Sequence, residues 1–212
     1  MYPRSLGPRA VRLLHTAMPS QPPALSLQHV RAAVVQGRFT SDKSYNLNHA
    51  ADLVRRAVAD SHERVGIVVL PECFNSPYAV DKFREYSESF SGLYEQIKRS
   101  GTRWPVDNED QGNPVTLSRQ TLETSPSLKA LSSLAKELGV VLVGGSIPER
   151  GPEDKIYNTS CVFDREGRAV AIHRKLHLFD IDIPGKMTFQ ESKTLTGGDA
   201  VTIFDCGTFV LT

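Results

Sequence analysis

The sequence predicts an α/β fold built around parallel strands, and three observations predict it. Residues 66–70 (GIVVL) form a short apolar run rich in β-branched side chains, and the run stops at Pro71, as a buried strand does. A second apolar stretch, 30–36 (VRAAVVQ), precedes it across a segment of helical period, so strand, helix and strand follow one another. A further helix signal, from Ser125–Pro126 to Gly139, leads directly into another apolar run, 140–143 (VVLV).

Each element has a local physical reason. Ser41 and Asp42 offer side-chain oxygens to the free N–H groups of a helix running to about residue 61. Its Leu47, Ala50, Ala51, Val54, Ala57 and Val58 recur at the spacing of one buried stripe. Glu72 then sits just past the second strand, in a loop broken again by Pro77; sites in open α/β sheets form at such carboxyl ends. A carboxylate flanked there by apolar residues suits general-base work. Ser125 caps the next helix, and Pro126 takes the first position, where a missing N–H costs nothing. Leu128, Leu131, Leu134, Ala135 and Leu138 form its buried face, and Gly139 ends it in a left-handed conformation. Gly144 and Gly145 permit a close backbone approach but lack the spacing of a dinucleotide fingerprint. Residues 157–163 (YNTSCVF) and 169–174 (AVAIHR) flank a turn containing Gly167 and predict a hairpin. The Asn158–Thr159–Ser160 sequon inside that strand is read as accidental.

Two stretches resist a simple reading. Residues 91–121 are polar, carry Trp104, Pro105, Asp107, Glu109, Asp110 and Pro114, and show little periodicity. A structureless loop of that length is uncommon in a compact domain; it serves either as a lid anchored by Trp104 or as a surface excursion, and the excursion is favoured. Residues 173–192 (HRKLHLFDIDIPGKMTFQES) concentrate Arg174, Lys175, His177, Asp180, Asp182, Lys186, Gln190 and Glu191 in a polar loop broken by Pro184 and Gly185. Charges of both signs this dense describe either a site or a set of structural ion pairs.

The bulk properties narrow the class. The chain has 212 residues, 40% hydrophobic and 23% charged, with a formal net charge of +1, so one globular domain is expected and nothing points to nucleic acid. No apolar run is long enough for a membrane-spanning helix. Three widely spaced Cys match neither a disulfide framework nor a zinc spacing. The first forty-one residues hold no Asp or Glu but do hold Arg4, Arg9, Arg12, Arg31 and Arg38. That composition marks residues 1–28 as a leader of the mitochondrial transit type, with a cytoplasmic location as the alternative. The domain itself is expected over 29–212.

Five motifs in this order, LPECFNSPY, GGSIPE, YNTS, HRKLHLFD and FQES, resemble the nitrilase-type carbon–nitrogen hydrolases, and most closely their ω-amidase branch. The resemblance implies the N-terminal part of an αββα sandwich, with residues 91–121 as an insertion. It implies Glu72 as general base, Lys175 as the oxyanion-stabilising cation and Glu191 as a second carboxylate orienting that Lys. It implies a small-molecule amide substrate, a homo-oligomer, and neither metal nor organic cofactor. The family's nucleophilic Cys falls a few residues beyond Thr212, while Cys206 comes too early and Cys73 matches a packing position. The expectation is therefore a truncated, inactive relative of the ω-amidases, with its unmatched apolar faces exposed. A deaminated-glutathione amidase, another nitrilase-type amidase, and a non-catalytic partner of full-length subunits are the alternatives.

Overall fold

The computed structural model describes residues 30–99 and 114–204. Strand β1 (Ala32–Val34) pairs in parallel with β2 (Ile67–Val69) across helix α1 (Lys43–Ala59). Asp42 caps α1 by accepting the Tyr45 N–H, and Ala50 and Val54 are buried with the rest of the predicted stripe against them. After β2 come the short helix α2 (Phe83–Tyr86), strand β3 (Glu88–Ser89) and helices α3 (Leu93–Arg99) and α4 (Arg119–Thr124). Helix α5 (Pro126–Leu138) starts on the Ser125 side chain, which accepts the Leu128 N–H, and ends at Gly139 with φ of 62°. Both ends follow from local sequence.

Strands β4 (Val141–Val143) and β5 (Ile147–Arg150) share one edge of the long strand β6 (Ile156–Phe163). The pairing slips by one residue between them, so Gly144–Ser146 forms a bulge in an otherwise continuous strand. Strand β7 (Ala169–Arg174) pairs with the other edge of β6 through the predicted hairpin. The sheet runs β1-β2-β4-β6-β5-β3, with β7 beside β6.

Alternation along the strands gives two apolar faces. Val68, Leu142 and Phe163 point into the main core under α1 and α5. Ile67, Val141, Val143, Val162, Val170 and Ala171 line the opposite face with Phe204. There Val141, Val162 and Ala171 are buried and Ile67, Val143 and Val170 half-buried, so the predicted exposure of that face is only partial.

Two expectations need correction. The segment read as aperiodic carries α3, whose Leu93 and Ile97 are about 1% exposed and belong to the main core; the sparse apolar residues of one short helix are too few to declare a period. Residues 100–113, Trp104 included, lie outside the described residues, as does the leader. The segment read as a polar loop folds as a second, two-stranded sheet, β8 (Asp180–Ile183) and β9 (Met187–Gln190), with Gly185 at φ of 72° in its turn. The alternation of β8 was hidden by its exposed Asp180 and Asp182.

Candidate functional site

Glu72 follows β2 at its carboxyl end. The main chain there is gripped by the bulge: a Cβ on Gly145 would lie 2.1 Å from the Pro71 carbonyl oxygen, so only glycine allows this approach. The Ser146 N–H donates to the Pro71 carbonyl at 3.3 Å, and the Ser146 hydroxyl accepts the Cys73 N–H at 3.0 Å. Cys73 itself has φ of 51°, a left-handed conformation that a side chain rarely adopts. The peptide on either side of Glu72 is thus fixed by one residue of the β4–β5 bulge.

Lys175 directly follows β7. Its N–H donates to the Asn158 carbonyl at 2.8 Å, and its carbonyl accepts the Gly198 N–H at 2.8 Å. Glu191 follows β9, opens a short 3-10 turn and is fully buried. Three residues from separate parts of the sequence therefore converge. Lys175 Nζ lies 2.9 Å from Glu72 Oε1 and 3.0 Å from Glu191 Oε2. Glu191 also accepts the Tyr78 hydroxyl at 2.6 Å and the Phe179 N–H at 2.6 Å, and Asn158 Nδ2 donates to Glu72 Oε1 at 2.7 Å. Glu191 is closed in by its donors, whereas the Glu72 side chain is 46% exposed.

The electrostatics define what this cluster does. Desolvation pulls the Lys175 ammonium down, but hydrogen bonds to Glu72 and Glu191 outweigh it and raise its pKa. A lysine held this way is a fixed positive charge at neutral pH rather than a nucleophile, which would need the opposite shift. Burial, then the bond to Glu191, raises the Tyr78 phenol, so it remains a donor. The ammonium fills the gap between the carboxylates, and among the described residues no group of three His, Cys, Asp or Glu is placed to hold a metal ion. Tyr78 stacks on Phe189 at 5.4 Å between ring centroids, Phe179 lies 6.0 Å from Phe189, and Tyr78 and Phe179 are exposed, giving the cluster an aromatic wall.

Neither described cysteine suits nucleophilic attack. Burial, reinforced by the Glu72 charge, pushes the Cys73 thiol up to about 12, and burial, reinforced by the Glu149 charge, raises Cys161 well above its ordinary value. Cys73 packs with Phe83, Ile156 and Leu195, as a packing residue should. Tyr78 and Asn158 were not singled out from sequence as site residues, although both lie inside quoted motifs; only their contacts reveal them. Asn158 is 3% exposed with its amide engaged, so its sequon is inaccessible.

Residues 31–210 match the model of the carbon–nitrogen hydrolase family. The chain is 41% identical to the Saccharomyces cerevisiae protein named omega-amidase NIT3 over 180 residues, covering 84% of this chain and 52% of that protein. It is 39% identical to the chloroplastic omega-amidase of Arabidopsis thaliana, covering 95% of this chain and 45% of the relative. The crystal structure of yeast Nit3, described as a member of branch 10 of the nitrilase superfamily, superposes with a TM-score of 0.60 at 36% identity, over 83% of this chain and 51% of that one. The chain spans about half the length of the curated relatives it matches.

Proposed function

The chain belongs to the carbon–nitrogen hydrolase family, and from that membership we propose that Glu72, Lys175 and Glu191 are the base and charge-stabilising part of an ω-amidase site. The observation that carries the reading is the Lys175 ammonium held within 3.0 Å of two carboxylates, one open and one sealed. Amide hydrolysis needs a nucleophile, a base and a stabiliser for the tetrahedral oxyanion. Glu72 takes the proton of the attacking thiol and later of water. Lys175 offers its charge to the developing oxyanion, and Glu191 keeps that Lys protonated and aimed. The thiol comes from outside residues 30–204, since Cys73 and Cys161 are buried and protonated.

The substrates are short dicarboxylic monoamides such as α-ketoglutaramate and α-ketosuccinamate, which release ammonia and the dicarboxylate. Similarity to two named omega-amidases supports this choice over deaminated glutathione. The experiment measures ammonia from α-ketoglutaramate, using this chain and a version extended through the family's Cys. Turnover that is abolished by Lys175→Met or Glu72→Gln, in whichever form releases ammonia, is expected. Preference for deaminated glutathione reassigns the substrate, and no turnover by either form removes the hydrolase reading.

A further inference from the structure

Asn158 breaks a local rule. Asparagine is depleted in strand interiors, yet this one sits inside β6, 3% exposed, opposite Pro148 of β5. Its side-chain Oδ1 is buried with no hydrogen-bond partner among the described residues, an arrangement that destabilises the fold. Residues that break local rules at a cost concentrate where function requires them.

Its contacts supply the reason. Asn158 Nδ2 donates to Glu72 Oε1 at 2.7 Å, and its main-chain carbonyl accepts the Lys175 N–H at 2.8 Å. Lys175 Nζ donates to the same Oε1 at 2.9 Å. One residue therefore touches both the Glu72 carboxylate and the Lys175 main chain, across separations of 86 residues and a strand turn. The amide has only one workable orientation, because turning Oδ1 toward Oε1 would set two acceptors face to face. With two donors on Oε1, Glu72 Oε2 accepts no hydrogen bond from the described residues. We propose that Asn158 is a positioning residue, pinning Oε1 of Glu72 beside Lys175 so that Oε2 is left as the oxygen that takes the proton. The pinning rests on geometry alone, and the proton-accepting role of Oε2 rests on the hydrolase reading.

The test uses the whole chain and the variant Asn158→Leu, which keeps the volume, removes the donor and also removes the orphan acceptor. The first readout needs no turnover: ¹³C NMR titration of the Lys175 ammonium. Release of Glu72 into solvent lowers the Lys175 titration midpoint relative to wild type; an unchanged midpoint in a folded variant overturns the pinning. Should Asn158→Leu fail to fold, Glu72→Ala decides the same point. The Asn158 side-chain amide protons, whose bond to Glu72 should protect them from exchange in wild type, lose protection in that variant, and unchanged protection overturns the proposal. The second readout is kinetic, in the form that releases ammonia. Asn158→Leu lowers kcat on the order of 100-fold with KM within about threefold, the signature of a misplaced group rather than lost binding. An unchanged kcat overturns the positioning role. Absence of turnover in every form removes the hydrolase reading, while the NMR arm still decides the pinning.

Discussion

Arg174 and Lys175 are consecutive residues with opposite fates. Arg174 is buried, and its guanidinium makes a bidentate pair with Glu149 at 2.6 and 2.8 Å. It lies between the rings of Tyr94 and Tyr157, 3.6 and 3.8 Å from their centroids. Thr159 donates to Glu149 as well, so the pair is closed to water and its donors and acceptors are matched. Lys175, one step on, reaches the other way and meets two carboxylates with a single charge. That cluster is left net negative, and Glu72 opens to solvent. The first pair satisfies itself and holds the end of β7. The second holds more acceptors than it can neutralise, which is the condition for handling a proton. Ion pairing alone therefore does not mark a site; an unmatched, accessible partner does.

The comparison is broken most severely at Arg174. Arg174→Leu leaves Glu149 buried without its cation and removes the stacking on both tyrosines, an expected loss of about 3–5 kcal/mol. Urea denaturation reads it; a loss under 1 kcal/mol would mean that water reaches Glu149 and that the two clusters differ less than their burial implies.

Lys175→Met tests the other side, with an expected loss of about 2 kcal/mol near pH 8 because Glu191 is sealed while Glu72 relaxes into water. The sign with pH is fixed. The Lys175 pKa is raised on folding, so its contribution is fully present below the ordinary lysine value near 10.5 and fades as pH rises through the folded value. Denaturation midpoints of wild type and variant should therefore converge at strongly alkaline pH. A gap that persists there would assign the loss to packing of the Lys stem.

Tyr78→Phe removes one donor to Glu191 and leaves the stack on Phe189, so about 1 kcal/mol is expected. The same change should lower the Lys175 midpoint little, since Glu191 keeps the Phe179 N–H. A large shift would make Tyr78 a full member of the cluster.

The smallest effect concerns the thiols. With pKa values raised by burial, Cys73 and Cys161 should resist iodoacetamide at pH 8 and react only on unfolding, as peptide mapping would record. Modification of Cys73 in the folded chain would make it a candidate nucleophile after all.

Legibility followed the range of the interactions. Asp42, Ser125–Pro126 and Gly139 act within one turn of a helix, so both long helices were read with ends close to those observed. The Gly167 hairpin is equally local. Glu88 was invisible as a buried residue, because its partners Lys43, Asn75, Ser125 and Ser127 come from three separate segments. Glu149 and Tyr94 were invisible for the same reason. Strand β3 has two residues, too few for alternation to show, and β8 hid beneath the charges of Asp180 and Asp182.

By itself the sequence determined the α/β class, the order of the main strands and helices, and, through five motifs, the family and three charged positions. Only the tertiary structure decided which carboxylate is open and which sealed, that Arg174 is structural while Lys175 faces the cluster, and that Tyr78, Ser146 and Asn158 support it. Caps, turns and apolar periods are set by neighbours along the chain. Burial, pairing and charge balance are set by residues up to a hundred positions away, and they exist only once the strands are in register.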